Sequence, residues 1–327
     1  MNICALLGSI FLTSFIPKNE MYYLLPGGDN IVFDIKLDGL VITGGYNIRI
    51  ENEVHNPLTY SDLRIGDTIT SIEGFTIDSI ESFMKYINNT TKNEVELGVI
   101  RGDTEFKRKL KLVYEDNTIK TGLYVKNDVY GVGTISYIDP NNNTYGALGH
   151  EVIDEVTKKS IRSRNGKSYY ENVIKINKGK TFHPGSKESE VTLNNLLGNI
   201  NMCNQYGLFG NISDKKINRK KMMVARKDEI KLGEASVRTS IRGNIIEEFK
   251  IRITNINKDE LDKSKGLMFE IVDPSLIEVA GGVYSGMSGS PIIQNNKLIG
   301  VVTHVINANI NKGYALYIDT MYNHSAK

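Results

Sequence analysis

Gly286-Met287-Ser288-Gly289-Ser290-Pro291 carries the residue types that acyl transfer needs. A nucleophilic hydroxyl must project from a tight turn, with backbone N–H groups aimed at the oxygen that becomes negative in the transition state. Flanking glycines let the backbone take that shape without a Cβ clash. On this reading Ser288 is the nucleophile, and the N–H groups of Gly286 and Ser288 form the oxyanion hole. The same string could be a plain turn between strands. Its context favours chemistry: β-rich runs at 291–294 and 297–302 flank Asn295-Asn296, and asparagine tolerates the positive φ of a tight hairpin.

A serine hydroxyl is inert without a base. His150, in Gly146-Ala147-Leu148-Gly149-His150, is the candidate, because the small residues before it leave one face of the imidazole open. His304 competes. It lies in Val301-Val302-Thr303-His304-Val305, the strand after the nucleophile, where Thr303 and His304 would line a substrate cleft. His183, in Phe182-His183-Pro184-Gly185, reads as a turn residue. The third group should be a carboxylate that orients the imidazole and stabilises its charged form. Asp273, Asp154 and Asp139 all qualify, and spacing alone does not choose. The five histidines are scattered, so no metal site is expected, and no cofactor is implied.

Composition sets the frame for these residues. The chain has 327 residues, enough for two ordinary domains, and its hydrophobic content of 40% supports real cores. A net charge of +2 gives no general pull toward nucleic acid. Of the two cysteines, Cys4 falls in the apolar run 3–16, leaving Cys203 without a partner and the chain without a disulfide framework. That run is short for a membrane span and about right for a signal-peptide core, although no basic residue precedes it. The expectation is an exported protein, with 1–20 as signal or anchor.

Residues 23–115 read as one domain. A Gly27-Gly28 turn enters strands at 30–35 and 39–45. Then come Leu63-Arg64-Ile65-Gly66-Asp67-Thr68-Ile69, a helical spacing of Ile80, Phe83, Met84 and Ile87, and strands around Arg101-Gly102-Asp103. The run resembles a PDZ domain, which binds an extended peptide or C-terminus by adding a strand to a sheet edge. The N–H groups that would receive a terminal carboxylate are placed at Asn30, Ile31, Val32 and Phe33. Residues 116–327 show short β-rich runs with Gly or Asn turns and no long amphipathic helix, the pattern of an all-β barrel or sandwich. The basic stretch 215–231 reads as a solvated loop. The fold class expected is mainly β, with an N-terminal PDZ domain followed by a trypsin-like double β-barrel.

Ala147-Leu148-Gly149-His150, Gly131-Val132-Gly133-Thr134, Gly281-Gly282, the turn 286–294 and the strand 297–305 together resemble the stage IV sporulation protein B peptidases of endospore-forming bacteria. The resemblance runs from Pro26 to Tyr314. It implies a site of His150, Ser288 and Asp273, fifteen positions before the serine. It also implies a signalling endopeptidase between the two membranes around the forespore. There it would cut a regulator of a membrane-embedded protease, and itself, to activate a late sigma factor. The PDZ domain would hold a partner's peptide or tail. A quality-control protease and an adaptor with a dead peptidase domain are the other readings. The first usually carries its PDZ domain after the protease, and the intact His150, Asp273 and Ser288 argue against the second.

Overall fold

The computed structural model describes residues 21–50, 53–115, 118–163, 165–213, 217–257 and 263–325. The apolar run 3–16 lies outside them. No helix among the described residues is long and apolar enough to cross a membrane.

The chain enters through β1 (Tyr23–Pro26) and the long β2 (Asn30–Gly45). It then makes β3 (Thr68–Ile72), helix α1 (Ile80–Asn89), β4 (Glu94–Arg101) and β5 (Thr104–Lys111), and returns in β6 (Leu123–Asp139). Next come β7 (Thr144–Ala147), β8 (Gly166–Asn177), β9 (Ser186–Asn204) and β10 (Gly207–Ile212). The C-terminal part holds β11 (Gly233–Thr239), β12 (Glu247–Ile256), β13 (Leu267–Ile271), α2 (Pro274–Ala280), β14 (Pro291–Gln294), β15 (Lys297–Val305) and β16 (Lys312–Tyr317).

Strand pairing closes two barrels. The first runs β2–β6–β7–β10–β9–β8 and back to β2, antiparallel throughout. The second runs β11–β12–β13–β16–β15–β14 and back to β11, again antiparallel. Each ring closes, although β6 keeps an uncovered edge on its β7 side before Ile135. Ile31, Ile35, Ile135, Leu197 and Leu208 fill the first core, and Val237, Phe269, Leu276, Met287 and Tyr317 the second. The expected hairpin is present: Asn295 and Asn296 have φ of 51° and 58°.

The PDZ-like unit has its own core, built from Leu40, Ile42, Ile69, Phe83, Ile87, Leu97 and Leu110. Its sheet order is β6–β2–β3–β4–β5. Helix α1 forms where its spacing predicts. Ser79 caps it, accepting from the Ser82 N–H while Ser82 Oγ accepts from the Ser79 N–H.

Three expectations are corrected here. The PDZ unit does not precede the peptidase; it is inserted into it. Residues 30–36 of β2 pair with the barrel part of β6, and residues 41–45 of the same strand pair with residues 123–126 in the PDZ sheet. Gly39 makes the join, with φ of 121° and its Cα so close to the Ile69 carbonyl that a Cβ would lie 2.6 Å from that oxygen. Asn30, Ile31, Val32 and Phe33 therefore form no carboxylate loop. They are barrel strand, laddered to residues 131–134 on one side and, from Ile31 on, to 168–170 on the other. The Asn30 amide is buried on the Ser240 carbonyl. The Gly27-Gly28 turn serves this strand entry, which is why it misled. The basic stretch is also more than a solvated loop: Arg219 forks onto both Asp29 carboxylate oxygens, at 2.6 and 2.5 Å.

Candidate active site

The Ser288 turn packs against Thr134 and Leu148, the segment that leads to His150, at the seam between the barrels. The contact is made by small residues. A Cβ on Gly289 would fall 2.1 Å from the Thr134 carbonyl oxygen and 2.5 Å from the Leu148 nitrogen, so only glycine lets the serine turn seat there. The Thr134 N–H donates to the Ser288 carbonyl at 2.8 Å, and the Leu148 N–H donates to the Thr134 carbonyl at 3.3 Å. Leu148 and Gly149 then take φ of 74° and 73°, a double left-handed step that delivers His150 to the cleft.

The turn is shaped for an oxyanion. Gly286 and Gly289 have φ of 106° and 95°. The Met287, Gly289 and Ser290 N–H groups bond within the protein, whereas those of Gly286 and Ser288 have no acceptor among the described residues. Thr134 Oγ1 donates to the Gly286 carbonyl at 2.7 Å and fixes that peptide. Thr134 is a site residue the sequence reading did not single out; its only signal was a hydroxyl next to Gly131-Val132-Gly133.

The side chains are at rest, not engaged with each other. Ser288 Oγ donates to the Thr303 carbonyl at 3.1 Å. His150 Nδ1 lies 2.7 Å from the Glu151 carbonyl oxygen, a distance that makes Nδ1 the protonated nitrogen and leaves Nε2 as the acceptor a general base needs. Burial pushes the His150 pKa below its ordinary value, against the opposing pull of the Glu151 carbonyl and charge. A neutral imidazole is the working form of the base. The acid limb of kcat/KM should accordingly fall below the ordinary histidine value of about 6.5. A pH–rate profile with that limb above 6.5 would contradict the burial argument.

His304 lies beside His150. Its ring centroid lies 5.1 Å from that of His150, and both line a cleft of about 1510 Å³ with Val132, Ile153, Lys265 and Tyr314. Thr303 contributes its carbonyl only, since its hydroxyl turns inward to the Ser264 carbonyl at 2.7 Å.

Asp273 is not brought to His150. Its carboxylate caps α2, accepting from the Ser275 and Leu276 N–H groups and the Ser275 hydroxyl, while its other oxygen accepts from the Lys250 N–H at 3.0 Å. Burial works to raise its pKa, but these donors hold it below the usual carboxylate range. The ladder explains the separation. His304 pairs with Tyr314, and Tyr314 with Met268, so Asp273 lies two strands across and five residues along the sheet. That is on the order of 15–20 Å. Asp154 and Asp139 are engaged as well, the first with Lys126 and the Val156 and Thr157 N–H groups, the second with the Asn141 N–H, Asn142 and Tyr322.

A second unforeseen feature lies under the turn. Lys187 and Glu171, both buried, approach to 2.9 Å, and a Cβ on Gly286 would sit 2.4 Å from Lys187 Cε. Cys203 is no rival nucleophile, since burial pushes its thiol up to about 11. Among the described residues no group of His, Cys, Asp and Glu could hold a metal.

Two closed barrels with a serine turn and a histidine at their seam, and a PDZ unit inserted in the first barrel, define a PDZ-containing serine peptidase. The chain belongs to the SpoIVB peptidase S55 family, whose model matches residues 117–322. No curated protein matches it. Among solved structures it is similar to the PDZ domain of an SdrC-like protein from Listeria monocytogenes, at 24% identity over 28% of this chain and 90% of that one, TM-score 0.22. It is also similar to the Rv3671c protease of M. tuberculosis in its inactive form, at 14% identity over 59% of this chain and 81% of that one, TM-score 0.31. A serine-to-alanine mutant of the same protease matches at 13% over 59% and 79%, TM-score 0.31.

Proposed function

We propose that this chain is a sporulation signalling endopeptidase. Ser288 attacks the peptide carbonyl, His150 takes its proton at Nε2, and the Gly286 and Ser288 N–H groups receive the oxyanion. His304 borders the substrate, and the Thr303 carbonyl holds the Ser288 hydroxyl at rest. Its substrate is a membrane-bound regulator of an intramembrane protease, cut outside the cytoplasm between the membranes around the forespore, and the cut activates a late sigma factor. Membership of the SpoIVB family is the observation that supports this role. Purified chain left to incubate and read by mass spectrometry against Ser288→Ala tests the peptidase. Complementation of a sporulating strain lacking the chain tests the role: Ser288→Ala should leave the late sigma factor silent while parent restores it. Normal sigma activity with the mutant would end the signalling reading.

For the resting geometry, the Glu151 carbonyl is the group that orients the imidazole and Asp273 is a helix cap. Asp273→Asn should then keep kcat within a few-fold of parent, because asparagine caps as well as aspartate. Asp273→Ala should lose about 1 kcal/mol of stability through the cap, read by denaturant unfolding. A loss of kcat on the order of 10⁴ in the asparagine variant would instead show that Asp273 reaches His150 in the working enzyme, as the family resemblance implies.

A further inference from the structure

The PDZ insertion leaves one strand edge open all the way to the nucleophile. β6 pairs with β2 from Leu123 to Thr134, and β7 covers its other edge only from Ile135 onward. β7 ends at Ala147, where the chain turns away through Leu148 and Gly149 to His150. At Thr134 both backbone groups face that other edge, the N–H on the Ser288 carbonyl and the C=O on the Leu148 N–H. Backbone groups on a strand alternate sides. Those of Val132 and Tyr130 therefore face the same way, beside Ser288, and no described residue pairs with them. Tyr130 (64% exposed), Val132 (40%) and, across the cleft, Ile153 (52%) present apolar surface there.

Followed backward, this edge enters the PDZ sheet. β6 begins just after Gly122, whose φ is 72°, as the outer strand of that sheet, and α1 packs against it. An edge strand beside a helix is where PDZ domains add a peptide strand. Polarity then selects the occupant. β6 runs from the PDZ sheet toward Ser288, so an antiparallel peptide runs from Ser288 toward the PDZ sheet and puts its C-terminal end there. The register of β6 shifts twice against β2, at Tyr124/Val125 and at Lys126/Asp128, which bends the track where the two units join.

We propose that the open edge of β6 is one continuous track for an extended polypeptide, from the scissile bond at Ser288 to a C-terminal end held at Gly122-Leu123. It rests on the peptidase reading above. Val132 to Leu123 spans nine residue steps, about 30 Å of strand at 3.3 Å each. The enzyme then cuts about eight to ten residues before the C-terminus of its substrate, and its specificity lies in that spacing as well as in side chains.

A proteome-derived peptide library with natural C-termini, digested with parent and with Ser288→Ala, reads the spacing directly. The expected Ser288-dependent cuts cluster eight to ten residues from the C-terminus. The best-cut peptide is then synthesised with single backbone N-methyl groups between cut and C-terminus. Along the regular run opposite Val132 to Asp128, alternate positions should lose at least ten-fold in kcat/KM, with the intervening ones unchanged, the period-2 signature of strand addition. Ser288-dependent cuts scattered without regard to the C-terminus, or N-methyl effects without a period of two, would overturn the track and leave the peptidase standing. No Ser288-dependent cut at all would overturn the peptidase reading and the track with it.

Discussion

Ser288→Ala should abolish peptide-bond cleavage, with kcat reduced by about 10⁴–10⁶, and leave a folded protein. The chemical half follows from the turn: without the hydroxyl there is no acyl intermediate, and the remaining oxyanion donors give only residual rate. The structural half follows from the contacts. Ser288 Oγ makes one hydrogen bond, to the Thr303 carbonyl, and a partly exposed bond of this kind contributes about 1 kcal/mol. The turn is held by other groups, namely Thr134 Oγ1 on the Gly286 carbonyl and the Gly289 N–H on the Val302 carbonyl at 2.7 Å. A fluorophosphonate should label the parent at Ser288 alone, since Ser290 is fully buried and out of reach of the reagent. Labelling at Ser290, or full activity in the alanine variant, would mean that the neighbouring serine carries the chemistry.

The sequence made the local parts of this protein legible and hid the long-range ones. Gly286-Met287-Ser288-Gly289 and Leu148-Gly149-His150 could be read because each is a short segment whose glycines are needed for its own backbone. Helix α1 and the Asn295-Asn296 hairpin were legible for the same reason. The PDZ insertion was not. The sequence reads as two strands, 30–35 and 39–45, where the structure has the single β2, and nothing in either alternating run says that the two halves pair in different units. A Gly-Gly turn before a strand was read as a PDZ loop because that turn has the same local chemistry wherever it occurs. Asp273 shows a different limit. An acid at a strand end before proline reads equally as a triad member or a helix cap, and only the register of β13, β16 and β15 separates them. Lys187 and Glu171 left no signal, because each is one charged residue in an alternating strand and their meeting depends on the pairing of β8 with β9.

That buried pair carries the largest expected effect on stability. Glu171 is fully buried and Lys187 nearly so, and neither charged group has a hydrogen bond to any other described residue. Burial drives the Lys187 pKa down, and the Glu171 charge opposes that. Glu171→Gln removes the one countercharge found among the described residues and should cost about 3–5 kcal/mol, measured by urea unfolding at pH 7. The sign of the pH dependence follows. With its carboxylate partner gone, the folded-state pKa of Lys187 falls further below the unfolded value of about 10.4. Between those two values the unfolded chain binds more protons, so the variant should regain stability as pH rises through that window. Glu171→Leu with Lys187→Met should recover most of the loss at neutral pH, because well-packed apolar side chains can replace a buried ion pair without penalty. The Glu171→Gln variant should also turn over slowly. Lys187 lies against the Cα of Gly286, so a displaced lysine chain shifts an oxyanion donor and lowers kcat more than it raises KM. A Glu171→Gln protein within about 1 kcal/mol of parent at pH 7 would show instead that the lysine can reach solvent by a small shift, and that the turn at Gly286 does not depend on the pair.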